Sequence, residues 1–331
     1  MTLLSVLGSI PSPPDNSIDI GPLELRAYGL AIAVGVIVAV LIARRRWEAR
    51  GGDPDDIIAI GMWAVPAGLI GARIYHVITD WQRFQGRWEH VFAIWEGGLG
   101  IPGGIAGGVI AGVWVAKRRG LPIPELLDVA APALPVAQAI GRLGNWFNQE
   151  LFGRPTDLPW GLEIDLENRP PEHLDAATFH PTFLYEALWN LALAAALVVI
   201  GRRWNPRPGQ LFAGYVAGYA AGRLWVESLR IDPASLIFGV RVNIWVSAVV
   251  LVAAVAVIVI RARRPSPEPR TAEDAAEPTG EGPTDQAAAG DEDRAERVAS
   301  EPEETSGSGE QTASGDELSD VSAPDTGSDT T

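Results

Sequence analysis

The segment GRLGNWFNQELFG, residues 141–153, sets an arginine, two asparagines, a glutamine and a glutamate at the end of a long apolar stretch. Gln138, Arg142, Asn145 and Gln149 fall at i, i+4, i+7 and i+11, along one face if the helix continues. Gly141 and Gly144 leave the backbone beside Arg142 accessible, and Asn148 and Glu150 follow where the chain leaves the apolar run. This is a polar pocket suited to a phosphate and a glycerol, because a guanidinium fork bonds paired oxygens and its charge is not titrated away. A second set, Tyr215, Tyr219, Arg223, Glu227 and Arg230, falls at i, i+4, i+8, i+12 and i+15. On a helix this is one stripe, and an internal Arg223–Glu227 pair lowers the cost of both charges. The plain alternative is a structural ion pair that fixes helix register. RAYG (26–29, with Tyr28), Arg73 and HPTFLYEA (180–187, with His180, Tyr185 and Glu186) add further polar groups.

The elements that carry these residues are apolar and long. Stretches near 27–43, 57–78, 98–116, 124–144, 183–201, 210–228 and 243–260 each approach the roughly 20 residues needed to cross about 30 Å of hydrocarbon. The expected fold is all-α, a polytopic membrane protein with about seven transmembrane helices. Lys and Arg gather after the first, third, fifth and seventh stretches (RRRWEAR, KRR, RRWNPR, RARR), while the opposite loops hold only a few arginines each. Positive loops stay in the cytoplasm. The N-terminus is therefore expected outside, the C-terminus inside, and loop 145–182 is the largest external element. Gly104, Gly108 and Gly112, and Gly214, Gly218 and Gly222, recur every four residues, the spacing at which helices pack closely in lipid.

Charges inside such spans need partners. Arg73, Arg142, Glu186, Arg223 and Glu227 would together cost on the order of 12–18 kcal/mol if central and lipid-exposed. They must be paired, snorkelling or in a polar cavity. Arg73, Arg142, Arg223 and Arg230 outnumber the acids Glu186 and Glu227. That excess suggests an anionic ligand, and the abundant anion at a membrane face is lipid phosphate.

Composition narrows the classes. Residues 265–331 carry 19 acidic and 3 basic side chains, hence −16 of a total −15, which leaves the rest of the chain at about +1. This tail has too few apolar residues to offset ordering entropy and is expected to be a disordered, cytoplasmic extension separate from the 1–264 membrane domain. The low pI therefore describes the tail, and no nucleic-acid partner is expected. There are no cysteines and four histidines, so thiolate chemistry by this chain and disulfides are excluded, and no metal or cofactor is expected. The N-terminal segment lacks the charged start of a cleaved signal peptide. A lipid or anion transporter using the same arginines, and a scaffold recruiting partners through the tail, are the competing classes.

Over about residues 20–262 the chain resembles the bacterial phosphatidylglycerol–prolipoprotein diacylglyceryl transferases, in a form similar to actinobacterial members. GRLGNWFNQELFGRPT resembles the family signature. RAYG, GARIYHV, GGLGIPGG, HPTFLYEA and GYVAGYAAGRLWVESLR resemble further blocks in the expected order. The resemblance implies transfer of diacylglycerol from phosphatidylglycerol to the lipobox cysteine of a preprolipoprotein, giving a thioether and glycerol phosphate. It implies a site facing outward from the cell membrane. The absence of cysteine fits, because the thiol belongs to the substrate. By motif, Arg142 corresponds to the family's essential arginine, with Asn145 and Glu150 as companions and Tyr28, Arg223 and Glu227 at other functional positions. Arg142 and Arg223 are expected to hold the phosphate, Glu227 to position Arg223, and Tyr28 to bond headgroup oxygen. Asn145, Asn148, Gly144, Arg73, His180, Glu186 and Arg230 complete the expected substrate contacts. One departure stands out: many members carry a histidine where this chain has Pro102. His76, His180 and Glu186 are the titratable candidates to replace it.

Overall fold

The computed structural model describes residues 8–20, 23–93 and 97–263. The reading of 265–331 as a disordered tail lies outside the described residues, as does part of the N-terminal segment. A hairpin of β1 (Ser17–Ile20) and β2 (Leu23–Arg26) leads into α1 (Ala27–Glu48). Then come α2 (Pro54–Thr79), α3 (Ile101–Arg118), α4 (Ile123–Ala130) and α5 (Ala133–Phe147). A short antiparallel pair, β3 (Leu162–Glu163) and β4 (Thr178–Phe179), precedes α6 (Thr182–Trp204) and α7 (Gln210–Glu227). A last pair, β5 (Leu236–Ile237) and β6 (Val240–Arg241), opens α8 (Val242–Arg263).

The protein is mostly helical. Among the described residues four helices, α1, α2, α6 and α8, are long and apolar enough to cross a membrane, and the bent α4–α5 pair makes a fifth if it is one span. The seven stretches read from the sequence are thus met only in part by this measure. Helices α3 and α7 cover the third and sixth stretches, but α3 ends in Lys117 and Arg118 and α7 contains Arg223 and Glu227. Large apolar side chains such as Ile37, Met62, Ile110 and Val249 are exposed, as expected where lipid rather than water is the surroundings.

Local chemistry sets the breaks. The Asp53 side chain accepts from the Asp55 N–H (2.9 Å) and Pro54 starts α2. Pro132, lacking an N–H, sits at the 42° bend between α4 and α5. The start of α7 is capped from another helix: Asp128 of α4 accepts from the backbone N–H of Gly209 (2.7 Å) and of Phe212 (2.8 Å). At the same arginine-rich end, buried Asp56 takes the Trp47 indole N–H (3.3 Å) and pairs with Arg119 (2.9 Å).

Glycines join α2 to α3, one register from the expected row. A Cβ at Gly103 would stand 2.2 Å from the Gly71 carbonyl oxygen, and one at Gly107 would stand 2.3 Å from that of Ala67. At Gly104 and Gly108 the nearest atoms are 3.3–3.4 Å away. The tightest backbone approach therefore uses Gly71, Gly103 and Gly107. The chain after α5 is a packed element in its own right: Phe152, Leu162, Ile164, Phe179 and Phe183 form a cluster with Trp146 and Ile231 against it.

Candidate active site

Contacts of Tyr28 with Gly144, of Glu186 with Arg142 and Arg223, and of Glu227 with Asn243 bring the C-terminal ends of α5 and α7 and the N-terminal ends of α1, α6 and α8 together. There the polar side chains form one continuous network. Arg142 of α5 pairs with Glu186 of α6. The other Glu186 oxygen lies 3.4 Å from Nη1 of Arg223 on α7. Nη2 of Arg223 is 2.7 Å from Oε2 of Glu227, the i,i+4 pair of the same helix. Glu227 is fully buried and its Oε1 also accepts from Nε of Arg241 (2.6 Å) and the amide of Asn243 (3.1 Å). On the other flank Arg142 donates to Asn145 (3.3 Å). Asn145 donates to Glu150 (2.7 Å), which also takes a longer bond from Asn148 (3.4 Å).

Tyr28 enters at the start of α1 and lies against α5 because Gly144 has no side chain. A Cβ there would stand 2.5 Å from the Tyr28 ring and 3.0 Å from its Cα. The backbone contact cannot rotate away, so Gly144→Ala should displace Tyr28. It should destabilise the protein by about 1–3 kcal/mol, read as a lower melting temperature in detergent, with loss of activity.

Several expected members lie elsewhere. The helical face drawn through Gln149 does not form. Helix α5 stops at Phe147, and Gln149 and Leu151 take left-handed backbone angles (φ 49° and 60°). Gln149 turns to Asp165, accepting from its backbone N–H (2.8 Å) and donating to its carboxylate. Arg230 also leaves its stripe, because α7 ends at Glu227. Its Nε donates to Asp232 (2.6 Å), which is bonded by Arg241 as well (3.0 Å). Arg73 is buried in the α2–α3 hairpin, where its guanidinium donates to the carbonyls of His90, Val91, Gly97 and Gly98.

The expected surplus of arginine is therefore corrected. Arg142, Arg223, Arg230 and Arg241 face Glu150, Glu186, Glu227 and Asp232, four charges of each sign. Arg73 is occupied by carbonyls. The count failed because Asp232 and Glu150 lie just outside the apolar runs. Arg241, Asn243 and Asp232 were missed by sequence reasoning; the available signal was a polar RVN run at the mouth of the last apolar stretch.

Asp232 lies between α7 and α8. Burial pushes its carboxyl up, but hydrogen bonding and charge from Arg230, with the charge of Arg241, outweigh this and hold it below the usual range. A carboxyl depressed on folding stabilises above its unfolded value of about 4 and loses that contribution as pH falls through the folded value. The stability gap between wild type and Asp232→Asn should therefore be constant from about pH 7 to 5 and close only below about pH 4, in melting curves recorded against pH.

The histidines make other contacts. His76 pairs with Asp80 (3.1 Å) and meets Phe84 edge-on. His180 bonds the Tyr185 hydroxyl (3.2 Å), which also receives the Trp160 indole N–H (3.1 Å), and Tyr185 stacks on Trp225. Burial, then the charge of Arg154, lowers the His180 imidazole below its ordinary value. Pro102 sits in the first turn of α3. Among the described residues no three His, Asp or Glu side chains are grouped to hold a metal ion.

Two kinds of comparison bear on this arrangement. Residues 16–260 match the family model described as prolipoprotein diacylglyceryl transferase. The chain is 51% identical over 267 residues to the phosphatidylglycerol–prolipoprotein diacylglyceryl transferase of Streptomyces griseus, covering 79% of this chain and 81% of that one. Proteins of the same name from Rhodococcus jostii (52% over 268 residues; 76% and 74% covered) and Cutibacterium acnes (50% over 260; 77% and 88%) are similar to it as well.

Proposed function

This chain belongs to the prolipoprotein diacylglyceryl transferase family, and on that premise we propose the following reaction and site. The protein moves the diacylglyceryl group of phosphatidylglycerol onto the cysteine thiol of a lipobox-bearing preprolipoprotein, the first step of lipoprotein maturation. The thiol sulfur attacks the glyceryl carbon that carries the phosphate. A carbon–sulfur bond forms, the carbon–oxygen bond breaks with its electron pair leaving on glycerol phosphate, and the proton lost by the sulfur passes to the released phosphate or to water.

The observation that carries this reading is the convergence of Arg142 and Arg223 on one carboxylate, that of Glu186. Two guanidiniums from different helices meeting at one anion form a seat for a phosphodiester, whose charge grows as the carbon–oxygen bond breaks. Asn145 and Glu150 brace Arg142 and orient the glycerol. Glu227 positions Arg223, and Tyr28 bonds headgroup oxygen. Asn148 and Gly144 shape the same wall, whereas Arg73, His180 and Arg230 support the elements around it.

The membrane arrangement follows from the same premise. All seven helical stretches cross the cell membrane. Helix α3 is shielded by its glycine seam with α2, and α7 by the pairing of its charges. The arginine-rich ends lie in the cytoplasm, and the network faces outward.

The test is to incubate the purified protein with phosphatidylglycerol and a lipobox peptide and to weigh the peptide by mass spectrometry. A diacylglyceryl adduct on the cysteine is expected. Its absence, with folded protein and both substrates present, sinks the proposal; a transporter would move lipid and leave the peptide unmodified.

A further inference from the structure

Arg142 and Arg223 both reach one carboxylate, that of Glu186, while Arg223 also pairs with Glu227 at 2.7 Å. Glu186 presents one oxygen to each, pairing with Arg142 and lying 3.4 Å from Arg223 Nη1. Two anionic oxygens offered to two guanidiniums is also what the non-bridging oxygens of a phosphodiester offer. The other acids of the network are differently held. Glu227 is fixed by Arg241 and Asn243 in addition to Arg223, and Glu150 by two amides. Among the described residues, the Glu186 oxygens are held by the two guanidiniums alone.

The space beside this pair is small. The cavity between α6 and α7, lined by Glu186, Asn190, Tyr219 and Arg223 among others, is about 10 Å³. That is the room of about one water. The buried Oδ1 of Asn190, one turn along α6 from Glu186, has no hydrogen-bond partner. With one oxygen of Glu186 on each guanidinium and little free space at Arg223, a phosphate that binds both Arg142 and Arg223 has to displace the carboxylate.

We propose that Glu186 is the resting occupant of the phosphate seat, displaced by an anionic phosphate ester and returning as the product leaves. This rests on the reading of the seat given above. The carboxylate keeps the half-buried Arg142 guanidinium paired, and shares Arg223 with Glu227, when no lipid is present, because an unpaired charge away from water is costly. It also competes with the headgroup, so the lipid meets a seat that is free for only a fraction of the time, and apparent affinity falls by that fraction. The same competition helps to eject glycerol phosphate. Glu186 thus sets how tightly phosphate is held and acts as a positioning residue through Arg142 and Arg223.

The test uses the full chain with Glu186→Gln and Glu186→Asp. Gln keeps the shape and removes the competing charge, while Asp keeps the charge and shortens its reach across both arginines. Two arms separate the sources of phosphate: phosphatidylglycerol in phosphatidylcholine nanodiscs, and free glycerol phosphate, whose binding is followed by tryptophan fluorescence and needs no turnover. With Glu186→Gln, KM for phosphatidylglycerol and Kd for glycerol phosphate should both fall about tenfold, and kcat should fall as product lingers. Glu186→Asp should shift both constants the same way by a smaller factor, which keeps the idea testable if the Gln variant does not fold. Unchanged or weaker glycerol phosphate binding in the folded variants overturns the proposal. So does tightening toward the lipid alone, which would assign Glu186 to the glyceryl or acyl part. A wild type that transfers nothing would strike the proposed reaction instead, leaving the glycerol phosphate arm to decide the seat.

Discussion

Replacing Arg142 by Gln should lower diacylglyceryl transfer on the order of a hundred- to a thousandfold, the usual loss when one preorganised donor to a developing anion is removed. Replacement by Lys should do nearly as much damage, because an ammonium is a point charge and cannot fork across two oxygens. The measurement is the rate of adduct formation on a lipobox peptide. Folding has to be separated from chemistry, since Arg142→Gln leaves Glu186 only the longer contact to Arg223. The double variant Arg142→Gln with Glu186→Gln removes that stranded charge. It should regain melting temperature and regain no activity. Normal turnover in Arg142→Ala would end the phosphate assignment.

Glu227 should be the position where substitution harms the fold most. It is fully buried and holds Arg223, Arg241 and Asn243 at once, tying α7 to the start of α8. Removing one partner of a buried ionic group typically costs about 3–5 kcal/mol, because the charges left behind stay out of water. Glu227→Ala should lose that much, seen as a large drop in thermal stability in detergent. Glu227→Gln should lose less, since its amide oxygen still accepts one bond. Adding Arg241→Met to Glu227→Ala should recover no stability, because Arg241 keeps Asp232 (3.0 Å) when Glu227 is gone and the second change removes that bond. An unchanged melting temperature in Glu227→Ala would show that the pairing is not what holds these helices together.

What could be read in the sequence follows the range of the interaction. The Arg223–Glu227 pair is four residues apart on one helix, so spacing alone predicts it, and it forms at 2.7 Å. Arg142 and Glu186 were both visible as charges in apolar runs. Their pairing was not visible, because it depends on how α5 lies on α6. Gln149 was misplaced because extending α5 past Phe147 ignores the left-handed turn at Gln149 and Leu151. Arg241 and Asp232 look like ordinary boundary residues in the chain, and only the folding back of β5 and β6 places them beside Glu227. The row of Gly104 and Gly108 does pack on α2, but α3 carries glycines at 103/107 as well, and only the packed backbone shows that this second row makes the tighter approach.

The cap that Asp128 places on α7 bears on how the helices that carry Arg142 and Arg223 can part. Its carboxylate clasps Gly209 and Phe212, while α4 runs on through the Pro132 bend into α5. The rods bearing Arg142 and Arg223 are thereby clamped at their far, arginine-rich ends, like the legs of tweezers. If the proposed headgroup enters between them, splaying is expected to pivot there, so that the mouth widens while the heel stays shut.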